Sequence, residues 1–436
     1  MSVKETSGRR DTLPKRVLLL HTPRSYRTPA FIHAAEKVGI EVVKAIDMQE
    51  QLADYWNFPL GLNYSNIEKS IGAIRAYSEE HPLGAILAVD DSGTLLAAMV
   101  SKQLDLPHNS PEAALASRDK HRMRQILQYS SINSPRFELH TVDGELDAES
   151  LDSRAGSIDF PCVVKPLSLS GSRGVIRANN PLEFVSAVRR LGQIISNQFP
   201  GSSSWQFLVE DFISGFEVAL EGILDDGKLT PLALFDKPDP LDGPFFEETI
   251  YITPSRLSQQ SQKSIFDTVS IAAETLGLRE GPVHAELRVN EEGPWLIELA
   301  GRSIGGLCSN TLRFASESSL EELILRQAFG MEFQSLNREY QASGVMMLPI
   351  PGAGIFKRVE GCEEGEAVPL IEKIEITARP NYSIKPLPEG DSYLGFIFAR
   401  GQSPDEVEAA LRAAQGKLRF VIAPELSVLQ PQIMPN

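Results

Sequence analysis

The N-terminal part of the chain alternates short apolar runs with segments of helical periodicity. Apolar runs of strand length stand at 16–20, 41–46 and 85–89. Apolar residues recur at three- and four-residue spacing in the segments 29–39, 66–81 and 94–104. Strands that alternate with helices of this length form right-handed βαβ units, so we predict an open α/β domain with a parallel sheet.

From residue 161 to about residue 330 the strand patterns become longer and hairpin-like. They stand at 161–166, 207–213, 217–226 and 229–238, with helical patterns at 181–192 and 258–276. This mixture predicts an α+β region with antiparallel sheet. Before it, one helix is expected from near Pro111 until just before Ser134, and the polar residues 141–160 are expected to be loop.

The remainder of the chain contains strand patterns at 343–359, 371–378 and 392–401, followed by a helical pattern at 403–418. These patterns predict a small β-rich closing domain. We therefore divide the chain into a flexible leader, an open α/β domain, a central α+β domain and the closing domain, at residues 1–15, 16–110, 111–335 and 336–436.

Composition narrows the class of protein. The 436 residues are 42% hydrophobic, which suits a globular protein of two or three domains. The formal net charge of -16 argues against binding to nucleic acid or anionic membranes, and the sequence has no apolar run long enough to span a bilayer. Three scattered cysteines favour a reduced cytoplasm over a disulfide framework: Cys162, Cys308 and Cys362.

The strongest chemical signal lies in a predicted hairpin at 282–306. One face carries Val283 and alternate apolar residues, and the other carries His284, Glu286 and, after the turn, Glu298. On the second strand, Trp295, Ile297 and Leu299 are expected on the apolar face. A turn near Glu292 sets Glu286 opposite Glu298, and opposed like charges are destabilising unless a cation lies between them. We therefore predict a magnesium site; the alternative is a solvated pair, which leaves Arg302 and the glycines after it unexplained.

Two further segments suggest a nucleotide. Lys165 ends an apolar strand just before the Ser- and Gly-rich loop 170–174, whose backbone amides could face an anion while the lysine supplies charge. Glu210 and Glu217 flank an apolar turn of the kind that binds the edge of an adenine and its ribose. Alone, the loop is a weak signal, because such sequences are common in surface turns. Without the predicted metal pair, an exposed strand end with two solvated glutamates would be the favoured interpretation of the second segment.

In this order, the motifs resemble those of the ATP-grasp superfamily over nearly the whole chain. The matching segments are 119–120, 163–166, 170–174, 210–217 and the pair Glu286 and Glu298. Arg302 follows four residues after Glu298, as in biotin carboxylase-like members. The resemblance implies an ATP-grasp fold with an N-terminal open parallel α/β domain, a central ATP-grasp domain and a small C-terminal β-rich domain.

The resemblance also implies roles for individual residues. Those that would bind the phosphates are Lys120, Lys165, Ser170, Gly171, Ser172 and Gly174. Those that would bind adenine and ribose are Glu210, Phe212, Ile213 and Glu217. Glu286 and Glu298 would bind Mg²⁺, with Mn²⁺ as an alternative metal. Many family members have Asn where this chain has Ala300, a loss that a magnesium ion retaining its waters tolerates.

Within the superfamily, the segments 235–238, 242–255, 284–287 and 298–306 look most like L-amino acid (dipeptide) ligases. This implies an ATP-dependent carboxylate–amine ligase that forms an acylphosphate, with amino acids as substrates, and it favours a homodimer. Arg302 would stabilise the acyl transfer. His284 would contact substrate or deprotonate the amine, and a structural role is equally open for it.

The loop 243–249 would be a lid that selects substrates, and the residues assigned to substrate contact are Lys237, Glu247 and Glu248; a simple connection between strands is the alternative. Two other functions remain open. One is an ATP-grasp carboxylase or purine-pathway type of ligase that acts through carboxyphosphate. The other is a nucleotide-binding protein without catalytic activity.

Overall fold

The computed structural model describes residues 13–144, 148–315, 317–390 and 392–425. Residues 1–12 of the predicted leader lie outside the described residues. Within the described part of the chain, no helix is both long and apolar enough to cross a membrane.

The N-terminal domain is the predicted parallel sheet. Its strands are β1 (Arg16–His21), β2 (Glu41–Asp47), β3 (Leu60–Leu62) and β4 (Ala85–Ala88), in the order β3-β2-β1-β4. Its helices are α1 (Thr28–Val38), α2 (Glu50–Tyr55), α3 (Ile67–Glu80) and α4 (Thr94–Gln103). Val17 and Leu18 belong to cores on opposite faces of the sheet, which explains the continuous apolar run of β1. The strand order reverses between β1 and β4, and a crevice forms at such a point.

The connector after this domain consists of two helices, α5 (Pro111–Ala116) and α6 (Lys120–Leu127), so the prediction of one continuous helix was wrong. The side chain of Asp119 accepts a hydrogen bond from the N–H of Arg122 and thereby begins a new helix. This new start places Lys120 and Arg124 on α6, where both are buried.

The small lobe that follows is an antiparallel sheet, β5 (Phe137–Asp143), β6 (Cys162–Pro166), β7 (Ile176–Ala178) and β8 (Ser204–Asp211), in the order β5-β8-β6-β7. It is accompanied by α7 (Ala148–Ala155) and α8 (Pro181–Gln198). The prediction that 141–160 is loop was wrong, because β5 extends to Asp143 and α7 follows. Leu151 and Ala155 anchor α7 in the lobe's core, and two apolar residues are too few for a clear helical pattern.

The large lobe supplies the strands β9 (Phe216–Asp225), β10 (Lys228–Lys237), β11 (Ile250–Thr253), β12 (Gly281–Asn290) and β13 (Gly293–Ala300). Its helices are α9 (Gln259–Leu276) and α10 (Leu320–Ala328). The antiparallel pairing predicted for this region is confirmed. Apolar residues of α9, β9 and β12 form one core beneath the sheet.

The C-terminal segment contains β14 (Ala342–Leu348), β15 (Gly354–Glu360), β16 (Ile371–Ile376), β17 (Ser383–Ile384), β18 (Gly395–Gly401) and β19 (Arg419–Ala423), with α11 (Cys362–Glu366) and α12 (Pro404–Gln415). Strand β14 pairs with β11 of the large lobe. An eight-stranded sheet results, in the order β13-β12-β9-β10-β11-β14-β18-β16. The C-terminal segment therefore extends the sheet of the large lobe, while β17-β15-β19 form a separate small sheet.

Candidate active site

The hairpin β12–β13 brings the two predicted carboxylates together. Glu286 pairs with Glu298 across the ladder, as predicted, although Leu287 pairs with Leu296 one step closer to the turn. Ile297 is therefore an extra, unpaired residue, which makes a β-bulge. If the register of Leu287 and Leu296 continued without the bulge, Ile297 rather than Glu298 would stand opposite Glu286. The bulge also corrects the predicted faces, because Leu296 and Leu299 are fully buried while Ile297 is only half-buried.

The two glutamates keep part of their surface open, 24% for the Glu286 side chain and 31% for that of Glu298. Glu298 lies 3.3 Å from the Nζ of Lys120. Glu286 lies 3.5 Å from the Nζ of Lys237 and 3.5 Å from the Nε2 of His284. Two opposed carboxylates that are partly open to solvent supply the oxygen ligands that a magnesium ion prefers, while Lys120 and Lys237 neutralise part of their charge.

His284 lies between two carboxylates. Its Nδ1 is 3.0 Å from Glu221, whose two oxygens both accept a hydrogen bond from the N–H of Ile304 at 3.0 Å. Burial lowers the pKa of His284, but Glu221 and Glu286 outweigh it and raise that pKa to about 9. Burial raises the pKa of Glu221. The sequence analysis missed Glu221, although an acid in the middle of the apolar strand β9 was a signal for it.

Beneath the predicted phosphate loop, Glu210 joins two cations. Its carboxylate lies 2.5 Å from Lys165 and 2.9 Å from the Nε of Arg124, and all three side chains are buried. Burial lowers the pKa of Lys165 more than Glu210 raises it. Burial raises the pKa of Glu210, but Arg124 and Lys165 outweigh that effect and hold it below its ordinary value. Two cations around one carboxylate leave the cluster with an excess of positive charge. Arg124 was missed from the sequence.

The loop 170–174 connects β6 to β7 and contains left-handed backbone at Gly171 (φ 64°), Ser172 (φ 55°) and Gly174 (φ 74°). At Gly174 a Cβ atom would also lie 2.9 Å from a methyl carbon of Leu191, so glycine is required twice over. Lys120 donates to the carbonyl of Leu169 at 3.0 Å. Because Lys120 also contacts Glu298, it connects the start of this loop to the predicted metal site.

The predicted adenine hinge follows β8, and its groups already have partners. Phe212 donates its N–H to the carbonyl of Pro161 at 3.2 Å, and the carbonyl of Ile213 accepts from Arg288 at 2.8 Å. The guanidinium groups of Arg177 and Arg288 both lie over the Phe212 ring, at 3.9 and 4.9 Å from its centroid. An adenine bound here would share the stacking surface of the Phe212 ring with these guanidinium groups.

A second charged cluster lies on β9, β10 and β12. Lys237 is 3% exposed and pairs with Glu217 at 2.9 Å, with Glu286 and with Glu248. The three carboxylates have oxygens within 4.8 Å of one another. Burial lowers the pKa of Lys237, but these carboxylates raise it well above its ordinary value. Glu217, predicted to bind ribose, is also paired with Arg288 at 3.0 Å.

The predicted lid residues Glu247 and Glu248 differ in their surroundings. Glu248 is part of the Lys237 cluster, and burial together with Glu286 raises its pKa. Glu247 accepts a hydrogen bond from the backbone of Ile350 in the C-terminal segment, and burial raises its pKa. Of the two, Glu248 is the one that the structure brings to the site.

Arg302 is held by the N-terminal domain. Its Nε donates to Asp91 at 2.6 Å and its Nη1 to the carbonyl of Ser303 at 2.9 Å. Burial raises the pKa of Asp91, but Arg302 outweighs it and lowers that pKa. Arg27, from the loop after β1, donates to the Oγ of Ser303 at 2.6 Å. Asp91 and Arg27 were missed, although both follow strands at the carboxyl edge of the parallel sheet, where side chains commonly meet a ligand.

Two segments of the chain match known protein families. Residues 158–311 match the ATP-grasp domain family, and residues 346–423 match L-amino acid ligase C-terminal domain 2. The chain is 26% identical to the alanine–anticapsin ligase of Bacillus subtilis, over 66% of this chain and 64% of that protein. It is 26% identical to the dapdiamide A synthase of Enterobacter agglomerans, over 66% of this chain and 68% of that protein.

Among solved structures, the L-amino acid ligase of Bacillus licheniformis superimposes with a TM-score of 0.77 at 25% identity, covering 93% of this chain and 98% of that one. The similarity thus includes the N-terminal domain and the C-terminal segment as well as the two lobes. The chain thus contains an ATP-grasp domain, followed by an L-amino acid ligase C-terminal domain.

Proposed function

We propose that this protein is an ATP-dependent ligase that joins the carboxylate of one amino acid to the amine of another and releases ADP and phosphate. The observation that carries the proposal is the ladder pair Glu286 and Glu298, with Lys120 3.3 Å from Glu298 and Arg302 near enough to interact electrostatically with both glutamates. Charge of both signs is thus concentrated where a phosphoryl group and an acyl group would meet.

In the first step, an oxygen of the substrate carboxylate attacks the γ-phosphorus of ATP. An O–P bond forms, the bond to the bridging oxygen breaks, and ADP leaves with that electron pair. The chain's contribution is to position the groups and to neutralise charge, because phosphoryl transfer spreads negative charge over several oxygens. Lys165, in β6 just before the loop 170–174, and Lys120, which contacts the carbonyl of Leu169, would neutralise this charge. Mg²⁺ held by Glu286 and Glu298 would supply further neutralisation of the phosphates.

In the second step, the amine attacks the acyl carbon of the acylphosphate and the C–O bond to phosphate breaks. The released phosphate takes up the proton that the amine nitrogen loses. Arg302 would donate hydrogen bonds to the oxygen that gains charge. His284 has carboxylates beside both ring nitrogens, Glu221 and Glu286. It therefore suits a positioning role for Glu286 better than proton abstraction, since neither nitrogen is open to an incoming amine.

The substrates proposed are small amino acids, because the relatives include alanine–anticapsin ligase and dapdiamide synthase. Glu248, in the predicted lid, and Lys237, at the end of β10, would contact them. A cytoplasmic location, a homodimer and division of the chain at residues 16, 111 and 336 remain predictions from the sequence, as do the individual roles assigned to the nucleotide-binding residues.

The proposal is tested with a matrix of amino acids, supplied singly and in pairs with ATP and magnesium. Phosphate release is measured together with product mass. We expect release with particular pairs and one amide formed for each ADP. ADP formation that depends on bicarbonate, with no amide from any pair, would establish the carboxylase instead. Tight ATP binding without ADP formation from any carboxylate would identify a nucleotide-binding protein without catalytic activity.

A further inference from the structure

A short turn of the C-terminal segment, residues 385–390, touches the loop 170–174; we call it the strap. The N–H of Gly174 donates to the carbonyl of Pro388 at 2.9 Å. The Nε of Arg173 donates to the carbonyl of Glu389 at 3.1 Å. A backbone N–H and a side chain of the loop are therefore both held by a segment far away in sequence.

A salt bridge reinforces this contact from the helix behind the loop. Arg190 of α8 donates to both carboxylate oxygens of Glu389, at 2.6 and 2.8 Å. The same guanidinium lies 4.7 Å from the ring centroid of Phe245, in the predicted lid. Arg190 thus joins three segments: the small lobe, the lid and the strap. Two parallel hydrogen bonds to one carboxylate fix direction as well as distance.

The strap has a closed shape of its own. The N–H of Gly390 donates to the carbonyl of Pro386 at 2.9 Å. A Cβ atom at position 390 would lie 1.9 Å from the carbonyl oxygen of Lys385, so the turn can close only around glycine. A turn of this kind presents the Pro388 and Glu389 carbonyls to the loop in a fixed arrangement, which a flexible tail would not do.

We infer that the strap holds the loop 170–174 closed over the nucleotide phosphates, and that Arg190 and Glu389 are positioning residues that keep this loop and the lid closed together. The inference rests on the proposed function for the role of the loop. A closed loop and lid exclude water from the acylphosphate, which would otherwise be hydrolysed before the amine arrives. Loss of the strap contact should therefore weaken ATP binding and allow ATP to be consumed without amide formation.

The test compares Glu389→Gln with Glu360→Gln. Glu360 is a matched control, because its side chain is 32% exposed against 35% for Glu389 and it also pairs with arginines, Arg358 and Arg419. For Glu389→Gln we expect the KM for ATP to rise roughly three- to tenfold, since a partly exposed but bidentate pair is lost. The ADP formed per amide should rise above one. Glu360→Gln should match the wild type in both measurements.

Two more variants separate positioning from folding. Arg190→Lys keeps the charge but loses the double hydrogen bond, so it should show the same defect even if Glu389→Gln folds poorly. A double variant that carries both Arg190→Glu and Glu389→Arg reverses the ion pair, and it should recover part of the ATP affinity that the single variants lose. Wild-type KM and one ADP per amide in both Glu389→Gln and Arg190→Lys would overturn the inference.

Calorimetric titration with ATP makes the result independent of the ligase proposal. If the wild type forms no amide but Glu389→Gln binds ATP more weakly, the strap inference stands and the ligase proposal fails. If the wild type is an active ligase and both strap variants bind ATP with unchanged affinity and coupling, the ligase proposal stands and the strap inference fails.

Discussion

Two charged clusters in the site use the same residue types in opposite proportions. The loop-side cluster places Lys165 and Arg124 around the single carboxylate of Glu210. The sheet-side cluster, on β9, β10 and β12 with the lid, places Glu217, Glu248 and Glu286 around the single amine of Lys237.

Each cluster buries its charges, and burial is costly unless a partner of opposite charge is present. Among these members, cations outnumber carboxylates in the loop-side cluster, and carboxylates outnumber amines in the sheet-side cluster, where Arg288 and His284 also pair with Glu217 and Glu286. The loop-side cluster therefore suits a phosphate, and the sheet-side cluster suits a metal ion or the ammonium group of a substrate. Glu298, paired with Lys120, lies at the boundary between the two clusters.

The largest effect is expected at this boundary. Glu298→Gln keeps the shape of the side chain but removes one of the two opposed carboxylates. The activation barrier should therefore rise by several kcal/mol, which lowers the turnover rate on the order of a thousandfold. Steady-state phosphate release and a magnesium titration measure the loss. Glu292→Gln, in the exposed turn of the same hairpin, is the control and should retain activity. Normal release by a folded Glu298→Gln protein would show that the opposed glutamates do not bind the metal.

The second effect concerns a cation that belongs to neither cluster. Arg302→Lys retains charge but loses the planar group that donates to Asp91 and Ser303. We expect the barrier to amide formation to rise by about 3 kcal/mol, which lowers its rate roughly a hundredfold, while ATP affinity is retained. Single-turnover rates and calorimetry separate the two quantities. An equal loss of ATP affinity would place Arg302 with the loop-side cluster instead.

The third effect tests the contrast between the clusters directly. Lys165→Ala removes one cation from the loop-side cluster, and the affinity for ATP should fall by about 2 kcal/mol, roughly thirtyfold. Lys237→Ala is the counterpart, since Lys237 is equally buried, and it should lower ATP affinity much less. Calorimetric titration measures both affinities. Equal losses in the two variants would remove the distinction between the clusters.

The parts of this arrangement that a sequence reveals are local in the chain. The opposed glutamates were predictable because strand alternation and one turn define their register, and the ordered motifs predicted the fold. The bulge at Ile297 was not predictable, because an inserted residue leaves the strand pattern apolar on both sides of it. As a result, the pairing of Glu286 with Glu298 was right while the face assigned to Ile297 was wrong.

The missed residues are those whose partners are distant in sequence. Arg124 reaches Glu210, Glu221 reaches His284, and Asp91 reaches Arg302, each through tertiary packing of separate elements. The two clusters could not be separated from sequence either. Lys237 and Glu248 were expected together on the lid, but nothing local indicated that Glu217 and Glu286 would surround the same amine.

The smallest effect is expected at Ala300, where the chain differs from many ATP-grasp proteins, and it tests the metal-binding side of the sheet-side cluster. Ala300 stands opposite His284 in the ladder, on the same face as Glu286 and Glu298, and it is buried. Ala300→Asn adds an amide oxygen to that face, so the magnesium concentration for half-maximal activity should fall roughly two- to fivefold through one added oxygen ligand. Thermal unfolding measures the accompanying cost of burying the larger side chain. An unchanged magnesium requirement in the folded variant would show that an amide oxygen at position 300 does not reach the metal.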